Sequence, residues 1–107
     1  MTTMNVLSVL RKGRRHKGDV IDITWKKRFD RRPSAVRVVV SQKVAKKAVE
    51  RHTIQRRLRE IARAVLKTNS FFTNGYDIVI VARLPASRAS FYDLQKSVYS
   101  TLNVECG

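Results

Sequence analysis

The side chains that could do chemistry are few and stand apart. The carboxylates of the 107-residue chain are Asp19, Asp22, Asp30, Glu50, Glu60, Asp77, Asp93 and Glu105, scattered singly. A protein nuclease working through metal ions needs clustered carboxylates, and a hydrolase needs a nucleophile beside a base. Asp19 and Asp22 are the nearest pair, but their odd spacing sends them to opposite faces of a strand. His16 and His52 have no C-x-x-C or H-E-x-x-H surroundings that would suggest zinc. The glycines form neither a P-loop nor a dinucleotide fingerprint. Cys106 is the sole cysteine and cannot make an internal disulfide, which agrees with a reducing compartment. The pattern predicts a chain that binds an anion, catalyses nothing by itself and holds no metal or cofactor of its own.

What the chain does carry is positive charge. Its net +15 comes from 23 Lys and Arg against 8 Asp and Glu. Residues 1–67 hold 20 of the cations and 5 of the acids, whereas residues 68–107 hold three of each. A polyanion, most commonly nucleic acid, is the partner such a surplus suits. His52, Arg56, Arg59 and Arg63 recur at i, i+4, i+7 and i+11, one stripe of a helix turning about 100° per residue. Together with Arg14, Arg15, Lys17, Lys43, Lys46 and Lys47 they repel one another unless an external anion relieves them. A phosphate backbone meets that need, and arginine adds bidentate contacts. Trp25, Phe29, Phe71, Phe72, Tyr76, Phe91, Tyr92 and Tyr99 include candidate stacking partners for bases. For Phe91 and Tyr99, helical spacing favours a place in the core.

The elements that must position these residues follow from periodicity. Residues 1–10 read as a short helix with Val6, Leu7 and Leu10 on one side, and RKGRRHKGD as an exposed basic loop. VIDITW (20–25) alternates as a strand with Ile21, Ile23 and Trp25 on one face, and AVRVVVS (35–41) is a second strand. A helix spans about Val44 to Lys67, with Ile54, Leu58, Ile61, Ala62, Val65 and Leu66 on its apolar side. Arg51 falls near that apolar edge, either redirected within the first turn or snorkelling. Asn74-Gly75 signals a turn, and YDIVIVAR reads as a strand covered on both faces. Ser90 and Asp93 have the spacing of a helix N-terminus, and the closing helix runs to about Val104. The order predicts one domain over residues 1–107: helix and basic loop at 1–18, then at 19–104 an α+β unit with a mixed sheet and a central βαβ crossover. No stretch has 18 uninterrupted apolar residues and the N-terminus lacks a signal-peptide pattern, so a soluble cytoplasmic protein is expected.

Four stretches together resemble the bacterial ribonuclease P protein subunit. VSQKVAKKAVERHTIQRRLRE (40–60) is similar to that family's signature: a strand ending in V-S-K-K, a short basic passage, A-x-x-R-N-R-I-K-R and an R-E helix. YDIVIVAR resembles its last core strand, SFYDLQKSVYSTL its closing helix, and VLRKGRRHKG its early V-F-x-x-G-x-R-x-x-G passage. The resemblance covers most of the chain in the correct order. It implies a two-layer α/β sandwich like the second domain of a small-subunit ribosomal protein, with a left-handed βαβ crossover.

The resemblance also implies a division of labour. The RNA partner cleaves the 5′ leader from precursor tRNA with magnesium ions, while the protein, monomeric when alone, contacts that RNA through the basic helix and holds the leader between sheet and N-terminal helix. Arg51, Arg56, Arg59 and Lys43 match the signature. His52, Thr53 and Gln55 depart from it, and Gln42 replaces a basic residue. Aligned on Gly13, the leader-facing aromatic positions read Val6 and Leu10, and Trp25 occupies or neighbours another position of the cleft. RNA docking is thus expected to be better retained than leader stacking. The alternatives are a ribosomal or ribosome-assembly protein of the same sandwich and a self-sufficient nuclease, against which the scattered carboxylates argue.

Overall fold

The computed structural model describes residues 6–18, 20–28, 32–68 and 75–104, with the backbone alone for residues 68 and 101–104. The elements are α1 (Val6–Lys12), β1 (Arg14–Lys17), β2 (Ile21–Lys27), β3 (Ala35–Val39), α2 (Ala48–Thr68), β4 (Tyr76–Ala82), a 3-10 turn (Leu84–Ser87) and α3 (Phe91–Val104). The strands form one mixed sheet in the order β1-β2-β4-β3. Only the β3–β4 pair, which flanks α2 in sequence, is parallel. This is the α+β fold with a central βαβ unit that periodicity predicts. Asp19, Asp30, Phe29, Phe71, Phe72, Asn74, Glu105 and Cys106 lie outside the described residues.

Period-two alternation sorts the side chains into two faces. Ile23 pairs with Ile80, Trp25 with Ile78 and Val38 with Ile80, so these side chains share one face. That face meets Ile54, Leu58, Ile61, Ala62 and Val65 of α2 and Leu94 and Val98 of α3 in a single core cluster. Each such aliphatic side chain, taken fully out of water, contributes roughly 1.5–3 kcal/mol. The apolar spacing read from the sequence of α2 is therefore the spacing that docks it.

The other face carries Asp22, Thr24, Lys26, Val79 and Val81, with α1 lying across β2 and β4. Val9 and Val79 are fully buried there, outside the main cluster. Lys26 Nζ donates to Ser8 Oγ at 3.2 Å, tying strand to helix. Gly13 allows α1 to turn directly into β1. A Cβ at this position would stand 2.5 Å from the Val9 carbonyl oxygen and 2.6 Å from that of Trp25. YDIVIVAR is thus covered on both faces, as its unbroken apolar run requires.

Three local readings need correction. The basic loop is in part a strand: Arg14–Lys17 pairs antiparallel with Trp25–Asp22. A four-residue edge strand held by backbone bonds needs no apolar alternation, so nothing in its side chains announces it. It also joins residues 14–17 to the sheet, across the boundary expected at 18. The second correction concerns α2, which begins at Ala48 rather than Val44. Val44 and Ala45 are buried in a turn closed by bonds from both their N–H groups to the Ser41 carbonyl. Burial satisfied by a turn mimics a helical apolar position. Finally, Phe91 is 43% exposed at the first position of α3, whereas Tyr99 packs against the core.

The start of α3 matches its sequence signal. Asp93 N–H donates to Ser90 Oγ at 3.1 Å, and Ser90 N–H donates to Asp93 Oδ2 at 3.3 Å, a reciprocal capping box. Gly75 adopts φ 83°, a left-handed conformation that suits glycine at the turn into β4.

Candidate nucleic-acid interface

The side of α2 that leaves the core is the basic one. Ile54, Leu58 and Ile61 are at most 7% exposed, while His52, Arg56, Arg59 and Arg63 are all exposed. At 1.5 Å per residue the stripe is about 16 Å long, enough to meet several phosphates of one strand. Lys43, Lys46 and Lys47 are exposed on the turn leading into α2. The packing that buries one side of the helix fixes the direction of the other.

Arg51 has a different task. It is half-buried in the first turn of α2, where its Nη1 donates to the carbonyl oxygens of Ala45 at 3.1 Å and Lys46 at 2.8 Å. Of the two readings open for it, redirection within the first turn is the one observed. The guanidinium fastens the preceding turn to the helix and so sets where Lys46 and Lys47 stand.

Arg14, Arg15 and Lys17 do not join the α2 surface. They lie on β1, at the opposite edge of the sheet from β3, against which α2 packs. Three strand spacings put those edges about 14 Å apart. Arg15 and Lys17 share the α1 face with Thr24 and Asp22, while Arg14 sits beside Trp25. There are consequently two basic regions, and the single continuous patch expected from the sequence is divided by the sheet.

One residue of the α1 face had no signal in the local sequence. Arg83 comes from the electrically neutral last third of the chain, yet its Nη1 donates to the Gly18 carbonyl at 3.0 Å and stands 3.5 Å from Asp22 Oδ1. Arg15 Nη2 donates to Asp22 Oδ2 at 2.7 Å. The side chain of Asp22 is 7% exposed and those of the two arginines about half exposed, 54% and 46%. A buried carboxylate thereby fixes two cations that sequence separation would never pair.

The remaining cleft candidates divide. Val6 and Leu10 lie on α1, half-buried and 39% exposed, and Leu7 beside them is 67% exposed. Val39 of β3, on the same side of the sheet, is 37% exposed. Trp25 is different: at 6% exposure it belongs to the core under α2 and α3. The alternation that buries Ile21 and Ile23 carries Trp25 to the face away from α1, so position 24 is the one that points toward that helix.

Among the described residues the two carboxylates of the sheet are already engaged by arginines. Asp22 is engaged by two arginines, and Asp77 accepts from Arg28 Nη1 at 2.9 Å. Arg28 Nη2 also donates to the carbonyls of Arg32 and Pro33, each at 2.9 Å. Among the described residues no group of three or more His, Cys, Asp or Glu side chains could hold a metal ion. Nor is any helix among them long and apolar enough to cross a membrane.

Comparison with known proteins places this geometry. A family model described as Ribonuclease P matches residues 2–104. The chain belongs to the ribonuclease P protein family. The ribonuclease P protein component of Cyanothece sp. is 34% identical over 73 residues, covering 68% of this chain and 53% of that protein. That of Clostridioides difficile is 38% identical over 65 residues, 61% of this chain and 54% of the other. The chain thus spans about half the length of the curated relatives it matches. Among solved structures, the RNase P protein from Thermotoga maritima superposes with a TM-score of 0.73 at 24% identity, over 92% of this chain and 86% of that one. A Staphylococcus aureus RNase P protein mutant with defective mRNA degradation activity gives 0.76 at 21%, over 94% and 80%. At these identities the structural likeness is one of fold. Membership in the ribonuclease P family does not favour the ribosomal alternative.

Proposed function

We propose that this chain is the protein subunit of a ribonucleoprotein endoribonuclease, ribonuclease P, acting in the cytoplasm on the 5′ end of precursor tRNA. Hydrolysis belongs to a catalytic RNA subunit, and the magnesium ions of the reaction are held by that RNA. The protein, monomeric when alone, offsets phosphate repulsion between catalyst and substrate, which strengthens substrate binding and lowers the magnesium requirement.

The observation that carries this reading is the exposed stripe of His52, Arg56, Arg59 and Arg63 on a helix anchored by its other side, in a chain of this family. That stripe, with Lys43, Lys46 and Lys47 leading into it, faces the catalytic RNA. Arg51 supports it from within as well as matching the family signature. Arg15 and Lys17 meet RNA on the α1 side, and Val6 and Leu10 offer the leader an apolar surface without aromatic stacking. His52, Thr53 and Gln55 leave fewer fixed cations at the centre of the motif than the family pattern has.

The test is precursor-tRNA cleavage at low magnesium with a bacterial catalytic RNA, with and without the protein, beside protein alone. Cleavage at the mature 5′ end only when both are present is the expected result; no stimulation by the folded protein with its cognate RNA rejects the reading. Reversing charge on Arg56 and Arg59 together should weaken RNA binding and flatten the slope of log K against log salt by about 2. Unchanged binding with an intact fold would remove α2 from the interface.

A further inference from the structure

A hollow of about 270 Å³ opens where α1 meets the sheet, lined by Lys12, Gly13, Arg14, Trp25, Lys26, Lys27 and Tyr76. Four of these residues are cations and none is an acid. They come from three elements: Lys12 closes α1, Arg14 opens β1, and Lys26 and Lys27 end β2. The register brings them together, since Arg14 pairs with Trp25 and Lys27 with Tyr76. The neighbouring carboxylate Asp77, paired with Lys26 across the strands, is turned to Arg28 at 2.9 Å and does not line the hollow. Lys12, Arg14 and Lys27 are exposed, whereas Lys26 is half-buried with its Nζ on Ser8 Oγ.

Four like charges around one small hollow raise one another's energy unless an anion enters. A phosphodiester brings one negative charge per phosphate, whereas a terminal phosphate brings close to two. The density of cations therefore suits a terminal phosphate group better than a length of backbone, which a long stripe such as that of α2 serves well. Tyr76, half-buried at the wall, gives a nucleoside a partly apolar surface beside the charge. The hollow is also distinct from the α2 stripe, being lined by residues of α1, β1, β2 and the start of β4 and by none of α2.

We propose that this hollow binds the 5′-polyphosphate of a nucleotide, carried either at the 5′ end of an RNA strand or by a free nucleoside triphosphate. The RNA source rests on the RNA-binding role proposed above; the phosphate site itself does not. On a primary transcript the site reads an end of the chain, information that the α2 stripe has no means to obtain.

The experiment uses the full chain and short single-stranded RNAs of about ten nucleotides, one with a 5′-triphosphate and one with a 5′-hydroxyl. At about 0.15 M ionic strength the triphosphate form should bind roughly ten-fold tighter, the worth of one or two added ion contacts near water. The double substitution Lys12→Gln, Lys27→Gln should abolish that preference while leaving 5′-hydroxyl RNA within about two-fold, because both residues are exposed and their loss costs little stability. Competition by guanosine triphosphate at a comparable concentration, sensitive to the same double substitution, identifies the free nucleotide as a sufficient ligand. Equal affinity of the two RNAs for the wild-type chain overturns the proposal. So does a preference that survives Lys12→Gln, Lys27→Gln and disappears with Arg56→Gln, Arg59→Gln. Neither result bears on cleavage of precursor tRNA, so failure here and failure of the subunit reading are told apart.

Discussion

The two faces of the sheet are built to different specifications. Under α2 and α3, Ile21, Ile23, Trp25, Ile78 and Ile80 are sealed at 6% exposure or less. Under α1, Asp22 and Thr24 are buried polar residues, two arginines converge on one carboxylate, and Leu7, Leu10 and Val39 remain open to solvent. A short helix of seven residues covers one face where two longer helices cover the other. The difference teaches how a small basic chain divides its work. Apolar area is concentrated on one side, where it offsets the conformational entropy of folding. The side with less cover is left able to exchange its contacts with water for contacts with a ligand.

Substitutions on the two faces sharpen this contrast. Ile80→Ala, at the centre of the sealed face, should cost about 2–5 kcal/mol in urea unfolding, since a cavity is added to the lost burial. A loss below 1 kcal/mol would mean that the face under α2 and α3 is not the main source of stability. Gly13→Ala tests the junction of the faces. With two backbone oxygens within 2.6 Å of the new carbon, α1 must shift, and a loss of roughly 1–3 kcal/mol is expected. If instead the variant is as stable as the parent, α1 is not held against the sheet by this turn. The smallest effect on folding belongs to Leu10→Asn, within about 0.5 kcal/mol for a partly exposed side chain. The same change should weaken the dependence of precursor-tRNA affinity on leader length. A large loss of stability together with unchanged leader dependence would invert the comparison, making the α1 face structural.

How much was legible in the sequence varies with the kind of signal. The 3.6-residue spacing of Ile54, Leu58, Ile61 and Val65 marks both the helix and the arginine stripe opposite, because one period governs both. The capping pair Ser90 and Asp93 is equally plain, being local in sequence and local in space. β1 was invisible for the converse reason: RRHK becomes a strand only because β2 offers it a free edge. Val44 and Ala45 misled by contributing apolar residues at positions compatible with a helix. Trp25 was placed in the cleft by resemblance, although the alternation with Ile21 and Ile23 already assigned it to the core.

Composition, charge and periodicity alone set the expectation of a polyanionic partner, the order of the elements other than β1 and the 3-10 turn, and the residues of the α2 stripe, since each depends on residues near one another in the chain. The tertiary structure alone decided that Arg15 and Arg83, 68 positions apart, meet at Asp22, and that Lys12, Arg14, Lys26 and Lys27 surround one hollow. It also separated Arg14–Lys17 from α2 by the width of the sheet. Those outcomes follow from strand order and register, which are set by the summed burial of the whole core rather than by any segment's own pattern.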